Sequence, residues 1–107
     1  MDPRKTSGRV DGRRYLELQE SHRTTLVVGM MDMLDNLAKY LGQKELATFS
    51  PMFQYAGTME SGHLREQFDA YMTKDAAGLS CAVASNFLSM LIEKSGVDVK
   101  LARGILN

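Results

Sequence analysis

The longest apolar pattern in this chain lies between residues 21 and 41. Its main stripe repeats every three or four residues, as on one face of an α-helix: Leu26, Met30, Met33, Leu34, Leu37 and Leu41. Four further apolar residues lie off that stripe, namely Val27, Val28, Met31 and Ala38. A helix that is apolar around most of its circumference has to be covered on more than one side. The pattern predicts either the central helix of a small domain or one half of a dimer seam.

Shorter apolar patterns predict helices on both sides of this one. A short helix is expected over 12–18, and a longer one carries an apolar face made of Leu64, Phe68, Tyr71 and Met72. A further stripe occupies positions 84, 87, 88 and 91, and Asp98 can cap a last short helix. No stretch alternates with period two, so strands are not expected. We predict an all-α fold, a compact four-helix domain with a short extra C-terminal helix.

The segment 43–57 is apolar but contains Pro51. We expect a helical turn followed by a loop, because proline disrupts a helix interior. An apolar loop must either plug the core or contact another molecule. Under the second hypothesis, a partner-binding surface consists of Phe49, Met52, Phe53 and Tyr55. Under the first, the same four side chains cap the core.

Gly29 lies in the middle of the long predicted helix. Glycine at an interior helix position costs about 1 kcal/mol relative to alanine. The compensation we expect is close approach of another backbone, from a later helix or from a second copy of the chain, and the alternative is that the glycine is simply tolerated. Gly29, Met30, Met33 and Leu37 form the predicted helix-packing or dimer surface, and we expect a homodimer.

The composition fits a single globular domain. The sequence has 107 residues, 44% apolar and 24% charged, with a net charge of zero. Basic residues are concentrated near the start, so we interpret 1–11 as a flexible basic arm and 12–107 as one helical domain. Zero net charge argues against a nucleic-acid partner. No apolar run approaches the roughly 18 residues of a membrane span, so no membrane association is expected.

The residues give little support for catalysis or metal binding. Asp32 and Asp35 share a helix face, but no third acidic residue falls at a ligand spacing. His22 and His63 have no partner at metal spacing. Cys81 is the only cysteine, so it forms no intrachain disulfide, and we expect it to be buried as a small apolar side chain. We expect no enzyme activity, no catalytic residues, no metal and no cofactor.

Three segments, taken in order, resemble a known family: Gly12–Leu18, Val28–Asp32, and Thr58–Arg65 with Phe68–Met72. Their order is similar to that in the Rap/Tai-type immunity proteins, which neutralise the peptidoglycan amidase effectors of type VI secretion. That family is grouped with HdeA-like small helical proteins. Its members usually carry a secretory signal and cysteines that flank the first two helices. In this chain Glu20, Ser21 and Thr25 lie at those cysteine positions, and we expect no signal peptide because Met1–Lys5 is followed by Thr, Ser and Gly rather than by an apolar run.

The resemblance implies an HdeA-like fold and a non-enzymatic function as a protein-binding or inhibitor module. It also implies a peptidoglycan amidase effector as the partner and a periplasmic location. Two alternatives stay open. One is an HdeA-like acid-stress holdase, which would expose apolar surface on a pH shift. The other is a small cytoplasmic or phage-type helical adaptor or inhibitor with a basic arm.

Overall fold

The structure is a computed structural model that describes residues 10–74 and 76–106. These residues form six α-helices with a 3-10 turn, Ala76–Ser80, between the fourth and fifth. The helices are α1 Gly12–Glu17, α2 Glu20–Ala38, α3 Gln43–Gly57, α4 Ser61–Lys74, α5 Val83–Ser95 and α6 Val99–Leu106. In the described part of the chain no strand forms, and the only β-type pairing is an isolated bridge between Asp11 and Ala82. The predicted all-α fold is confirmed.

Three aromatic rings form the centre of the core. Phe68 from α4 lies between Tyr15 from α1 and Phe87 from α5, with ring centroids 5.0 and 5.2 Å apart. The Phe68 and Phe87 rings are nearly perpendicular, at 83°, which is a favourable edge-to-face arrangement. All three side chains are buried. The aromatic cluster therefore links the first, fourth and fifth helices.

Helix α2 is only partly covered by the rest of the domain. It packs mainly on α4, whereas α3 packs mainly on α5 and α6. Val27 is the one residue of α2 that is fully buried. The helix predicted to need cover on several sides is therefore covered chiefly on one.

The expectation of a turn and a loop over 43–57 is wrong. These residues form the continuous helix α3, with Pro51 inside it. Phe49, Met52 and Ala56 share its inner face and are buried. An interior proline costs about 3 kcal/mol or more, while burying a Phe or Met side chain stabilises by roughly 1.5–3 kcal/mol each. Packing of this face therefore offsets the cost of the proline.

Residues 1–9, most of the predicted basic arm, lie outside the described residues. Val10 and Asp11 belong to the fold. The Val10 carbonyl accepts a hydrogen bond from the Val83 amide at 2.7 Å. The Asp11 carboxylate caps α1 by accepting from the Arg14 amide at 2.8 Å. The start of the described chain is thereby attached to the first turn of α5.

Gly12 marks the tightest packing of α1 against the 3-10 turn. A Cβ at this position would lie 3.0 Å from the carbonyl oxygen of Gly78 and 3.1 Å from the Cα of Leu79. Both are backbone atoms, which have little freedom to move. Glycine is therefore required at residue 12 for α1 to approach the turn this closely.

Candidate functional site

An open apolar groove of about 800 Å³ separates α2 from α5. Helix α2 supplies most of its lining: His22, Thr25, Leu26, Gly29, Met30, Met33, Leu34 and Leu37. The remaining lining comes from the start of the described chain and from α5: Val10, Leu18, Ala84, Ser85, Phe87 and Leu88. In the part of the chain that the structure describes, no Asp, Glu, Lys or Arg side chain lines it. The groove is therefore suited to apolar groups rather than to polar chemistry.

Large apolar side chains are exposed along the C-terminal half of α2. Met33 is 61% exposed and Leu37 is 51% exposed, and Tyr40, just beyond the helix, is 86% exposed. Met30 and Leu34, deeper in the groove, are half-buried. A contiguous exposed apolar surface of this kind marks an interaction site more often than an isolated apolar residue does.

The structure brings the four predicted helix-packing or dimer residues together. Gly29, Met30, Met33 and Leu37 all line the groove. The expected approach of another helix of this chain to Gly29 is wrong, because a Cβ built there meets no atom of residues 10–74 or 76–106 within 4 Å. Helix α4 packs on α2 from the side of Val27 instead. The space over Gly29 is open to another molecule.

The four residues predicted as a partner-binding surface do not form one exposed patch. Phe49 and Met52 are buried in the core, and Phe53 and Tyr55 are half-buried. Burial raises the pKa of the Tyr55 hydroxyl. Phe53 lines a shallow hollow between α2 and α3. The geometry of Phe49 and Met52 matches the hypothesis in which these side chains cap the core.

A polar cluster fixes the N-terminal half of α2 against α4 and α1. The Arg65 guanidinium donates to Asp69 at 2.8 Å and to Glu20 at 3.0 Å, and the Tyr15 hydroxyl donates to Asp69 at 2.7 Å. Arg23 Nε lies 3.3 Å from Asp69 Oδ2, close enough for an ion pair but without the alignment of a hydrogen bond. The hydrogen bond to Asp69 raises the pKa of Arg65, whose side chain is largely buried. The cluster therefore holds one wall of the groove in place.

Sequence reasoning missed this cluster. The spacing of Arg65 and Asp69, i and i+4 on one predicted helix, is a signal for a local ion pair. Glu20 and Tyr15 are 45 and 54 residues away from their partners in the cluster. Such long-range contacts depend on the packing of α1 and α2 against α4, which periodicity does not specify.

The polar cluster makes the free energy of unfolding decrease at alkaline pH. Burial raises the pKa of the Tyr15 hydroxyl above its ordinary value of 10.0, and the hydrogen bond to Asp69 raises it further. The folded chain therefore holds this proton more tightly than the unfolded chain does. The stability that results is fully present below about pH 10 and is lost as pH rises further. In the wild-type chain the free energy of unfolding, measured by urea denaturation, should fall between roughly pH 9 and pH 11. In Tyr15→Phe it should fall less over the same range.

Tyr40→Phe is the matched control for this measurement, because Tyr40 is exposed and lies outside the polar cluster. Tyr55 contributes in the same direction as Tyr15, since burial raises its pKa too. A smaller but nonzero decline is therefore expected for Tyr15→Phe. Identical declines in Tyr15→Phe and in the wild-type chain would contradict this assignment.

Other candidate chemistry stays dispersed on the surface. In residues 10–74 and 76–106, no group of three His, Cys, Asp or Glu side chains could hold a metal ion. Asp32 and Asp35 are exposed on α2 outside the groove. The expectation that Cys81 is buried is wrong, because it lies exposed between the 3-10 turn and α5 rather than on a helical stripe. Across the same residues, no helix is long and apolar enough to cross a membrane.

Comparisons with known proteins identify no family for this chain. No family model matches it, and neither a curated protein nor a solved structure does.

Proposed function

We propose that this chain is a non-enzymatic protein-binding module, and that the groove between α2 and α5 is its binding surface for an apolar helix. The observation that carries the proposal is the lining itself, which is apolar throughout except for His22, Thr25 and Ser85. Covering apolar surface stabilises a complex by roughly 25 cal/mol per Å² removed from water. The uncovered groove therefore favours association with an apolar partner.

The shape of the groove suits a helix. Along α2 its lining runs from His22 to Leu37 in steps of three and four residues, which keeps these positions on one face. Fifteen residues of helix extend about 22 Å at 1.5 Å per residue. A helix with apolar residues at the same spacing can lie along this seam, as in other helix-in-groove complexes. The flexible Met30 and Met33 side chains allow the lining to adapt to its occupant.

The resemblance to the Rap/Tai-type immunity proteins suggests a class of heterologous partner. A peptidoglycan amidase effector of type VI secretion is the first such protein to test, with hydrolysis of peptidoglycan as the readout. We expect the chain to inhibit the amidase it binds and Leu37→Asp to weaken that inhibition. Leu37 is an exposed groove residue, so its substitution should not disturb the core.

A peptide titration tests the groove without knowledge of the natural partner. The probe is a fluorescein-labelled amphipathic helical peptide with Leu and Met on one face. It is added in excess to the protein, whose concentration is held on the order of 10 nM. Leu37→Asp should weaken binding by at least tenfold, which corresponds to about 1.4 kcal/mol. The reason is that it places a charge in a groove whose described lining contains no Asp, Glu, Lys or Arg side chain.

Leu101→Asp provides a matched control. Leu101 lies on α6, outside the groove, and is 52% exposed, almost the same fraction as Leu37. Its substitution should leave peptide binding unchanged. The proposed function fails if the peptide does not bind the chain in its monomeric form, or if the two aspartate variants weaken binding equally.

A further inference from the structure

We infer that the helix occupying the groove is α2 of a second copy of this chain, packed antiparallel to the first and crossing it at Gly29. This inference rests on the proposed function, because it requires the groove to be a helix-binding surface. It goes further by naming the occupant. Three properties of α2 favour a second copy: the distribution of its exposed apolar side chains, its central glycine and its charges.

The exposed apolar side chains of α2 match the opposite half of the same groove. Met33 and Leu37 project from the C-terminal half of the helix. Thr25 and Leu26 line the N-terminal half. Thr25 lies four residues before Gly29 and Leu26 lies three before it, whereas Met33 lies four residues after it. When two α2 helices run antiparallel across Gly29, Met33 of each copy meets Thr25 and Leu26 of the other. Each helix thus covers the groove of its partner, as a two-fold symmetric contact requires.

Gly29 permits the two helices to approach closely. In a two-fold contact the residue on the axis meets its own copy. Among the described residues, a Cβ at residue 29 meets no atom within 4 Å, so none of the described helices fills the space over Gly29. Glycine in an exposed helix interior costs about 1 kcal/mol relative to alanine. Approach of a second backbone at this point explains why residue 29 is glycine despite that cost.

The charges of α2 are compatible with this antiparallel contact. None of its charged residues, Glu20, Arg23, Asp32 or Asp35, lines the groove, so like charges are not forced together across the seam. Glu20 lies on the side of α2 opposite Gly29, where it accepts a hydrogen bond from Arg65 of α4. The two helix dipoles also oppose each other favourably.

The segment that precedes Val10 is the other occupant that the chain itself could supply, and its sequence is less suitable for the groove. The nine residues that precede Val10 contain one apolar side chain, Met1, and are otherwise polar, small or charged apart from Pro3. They cannot supply apolar residues at helical spacing along the groove. A heterologous helix remains able to bind, but it has to displace the second copy. Dimerisation and capture of another protein are therefore mutually exclusive at this surface.

Sedimentation equilibrium of the full chain tests the inference. We expect the wild-type chain to sediment at twice its 11.9 kDa mass at tens of micromolar (roughly 10–100 μM). Gly29→Arg should sediment as a monomer, because a long charged side chain blocks the crossing point. Gly104→Arg is the matched control. Gly104 is also helical, and a Cβ there also meets no described atom within 4 Å, but it lies on α6 outside the groove.

A second pair of variants guards against misfolding of Gly29→Arg. Met33→Asp alters an exposed groove residue and should also sediment as a monomer, while Leu101→Asp should remain a dimer. A monomeric wild-type chain would overturn the inference. A wild-type dimer that persists in both Gly29→Arg and Met33→Asp would overturn it too, since the second copy would then cover another surface.

Failure of this inference is distinguishable from failure of the proposed function. If the wild-type chain is monomeric and the fluorescein-labelled peptide binds in a Leu37-dependent manner, the groove binds a helix but its occupant is not α2 of a second copy. The proposed function then stands and this inference fails. If the chain is monomeric and the peptide does not bind, both proposals fail.

Discussion

Phe68→Ala is expected to lower the free energy of unfolding by about 3–5 kcal/mol, the usual cost of truncating a buried phenylalanine. Phe68 has no exposed surface and contacts the rings of both Tyr15 and Phe87. Its removal leaves a cavity at the point where α1, α4 and α5 meet. Urea denaturation followed by circular dichroism at 222 nm (about the α-helical minimum) measures the change in midpoint and slope.

Tyr40→Ala is the matched aromatic control, because Tyr40 is 86% exposed. Its substitution should change the free energy of unfolding by no more than about 0.5 kcal/mol. If Phe68→Ala were as small in effect as Tyr40→Ala, the aromatic cluster would not be the centre of the core. The arrangement of α1 against α4 and α5 would then be incorrect.

Asp69→Ala is expected to cost about 3 kcal/mol, the lower end of the range for breaking a buried ion pair by removing one partner. Asp69 accepts hydrogen bonds from Arg65 and Tyr15 and lies beside Arg23. Its removal leaves the largely buried Arg65 with Glu20 and Glu66, both of which are well exposed to solvent. The lower end of the range applies because a fifth of the Asp69 side chain is exposed. Urea denaturation at neutral pH measures the loss.

Asp35→Ala is the control for this substitution, since Asp35 is an exposed carboxylate on α2. Its effect should stay within about 0.5 kcal/mol. Equal effects of Asp69→Ala and Asp35→Ala would show that the polar cluster does not attach α2 to α4. The wall of the groove would then need another support.

The sequence predicts the helices whose apolar stripes are regular and fails where a local rule conflicts with packing. The stripes of α4 and α5 and the apolar excess of α2 follow from spacing alone. The helix α3 does not, because Pro51 lowers the local preference for helix. Only the buried contacts of Phe49 and Met52 outweigh that local cost, and these contacts depend on α5 and α6 being in place.

The candidate site could also be predicted only in part, because spacing indicates one wall of the groove and packing determines the other. The apolar excess of α2 selects Gly29, Met30, Met33 and Leu37, and all four line the groove. The opposite wall could not be predicted, because Ala84, Ser85 and Leu88 face α2 only through the packing of α5 on the rest of the domain. The expected approach of another helix of this chain to Gly29 was wrong because α4 packs on another side of α2.

Chemical crosslinking at residue 29 tests the central claim, a groove covered by a second α2, most directly. The protein is the full chain carrying Gly29→Cys in a Cys81→Ser background, treated with a short bismaleimide. The background substitution removes the exposed Cys81, which is the only native cysteine. The same reaction on Gly104→Cys, also with Cys81→Ser, reports on a helical glycine outside the groove.

The antiparallel contact predicts a covalent species of twice 11.9 kDa from Gly29→Cys and little or none from Gly104→Cys. Two cysteines that replace residues on the two-fold axis are close enough for a short reagent to join, whereas residue 104 lies away from the seam. Absence of the covalent dimer from Gly29→Cys, or equal yields from the two variants, would contradict the account.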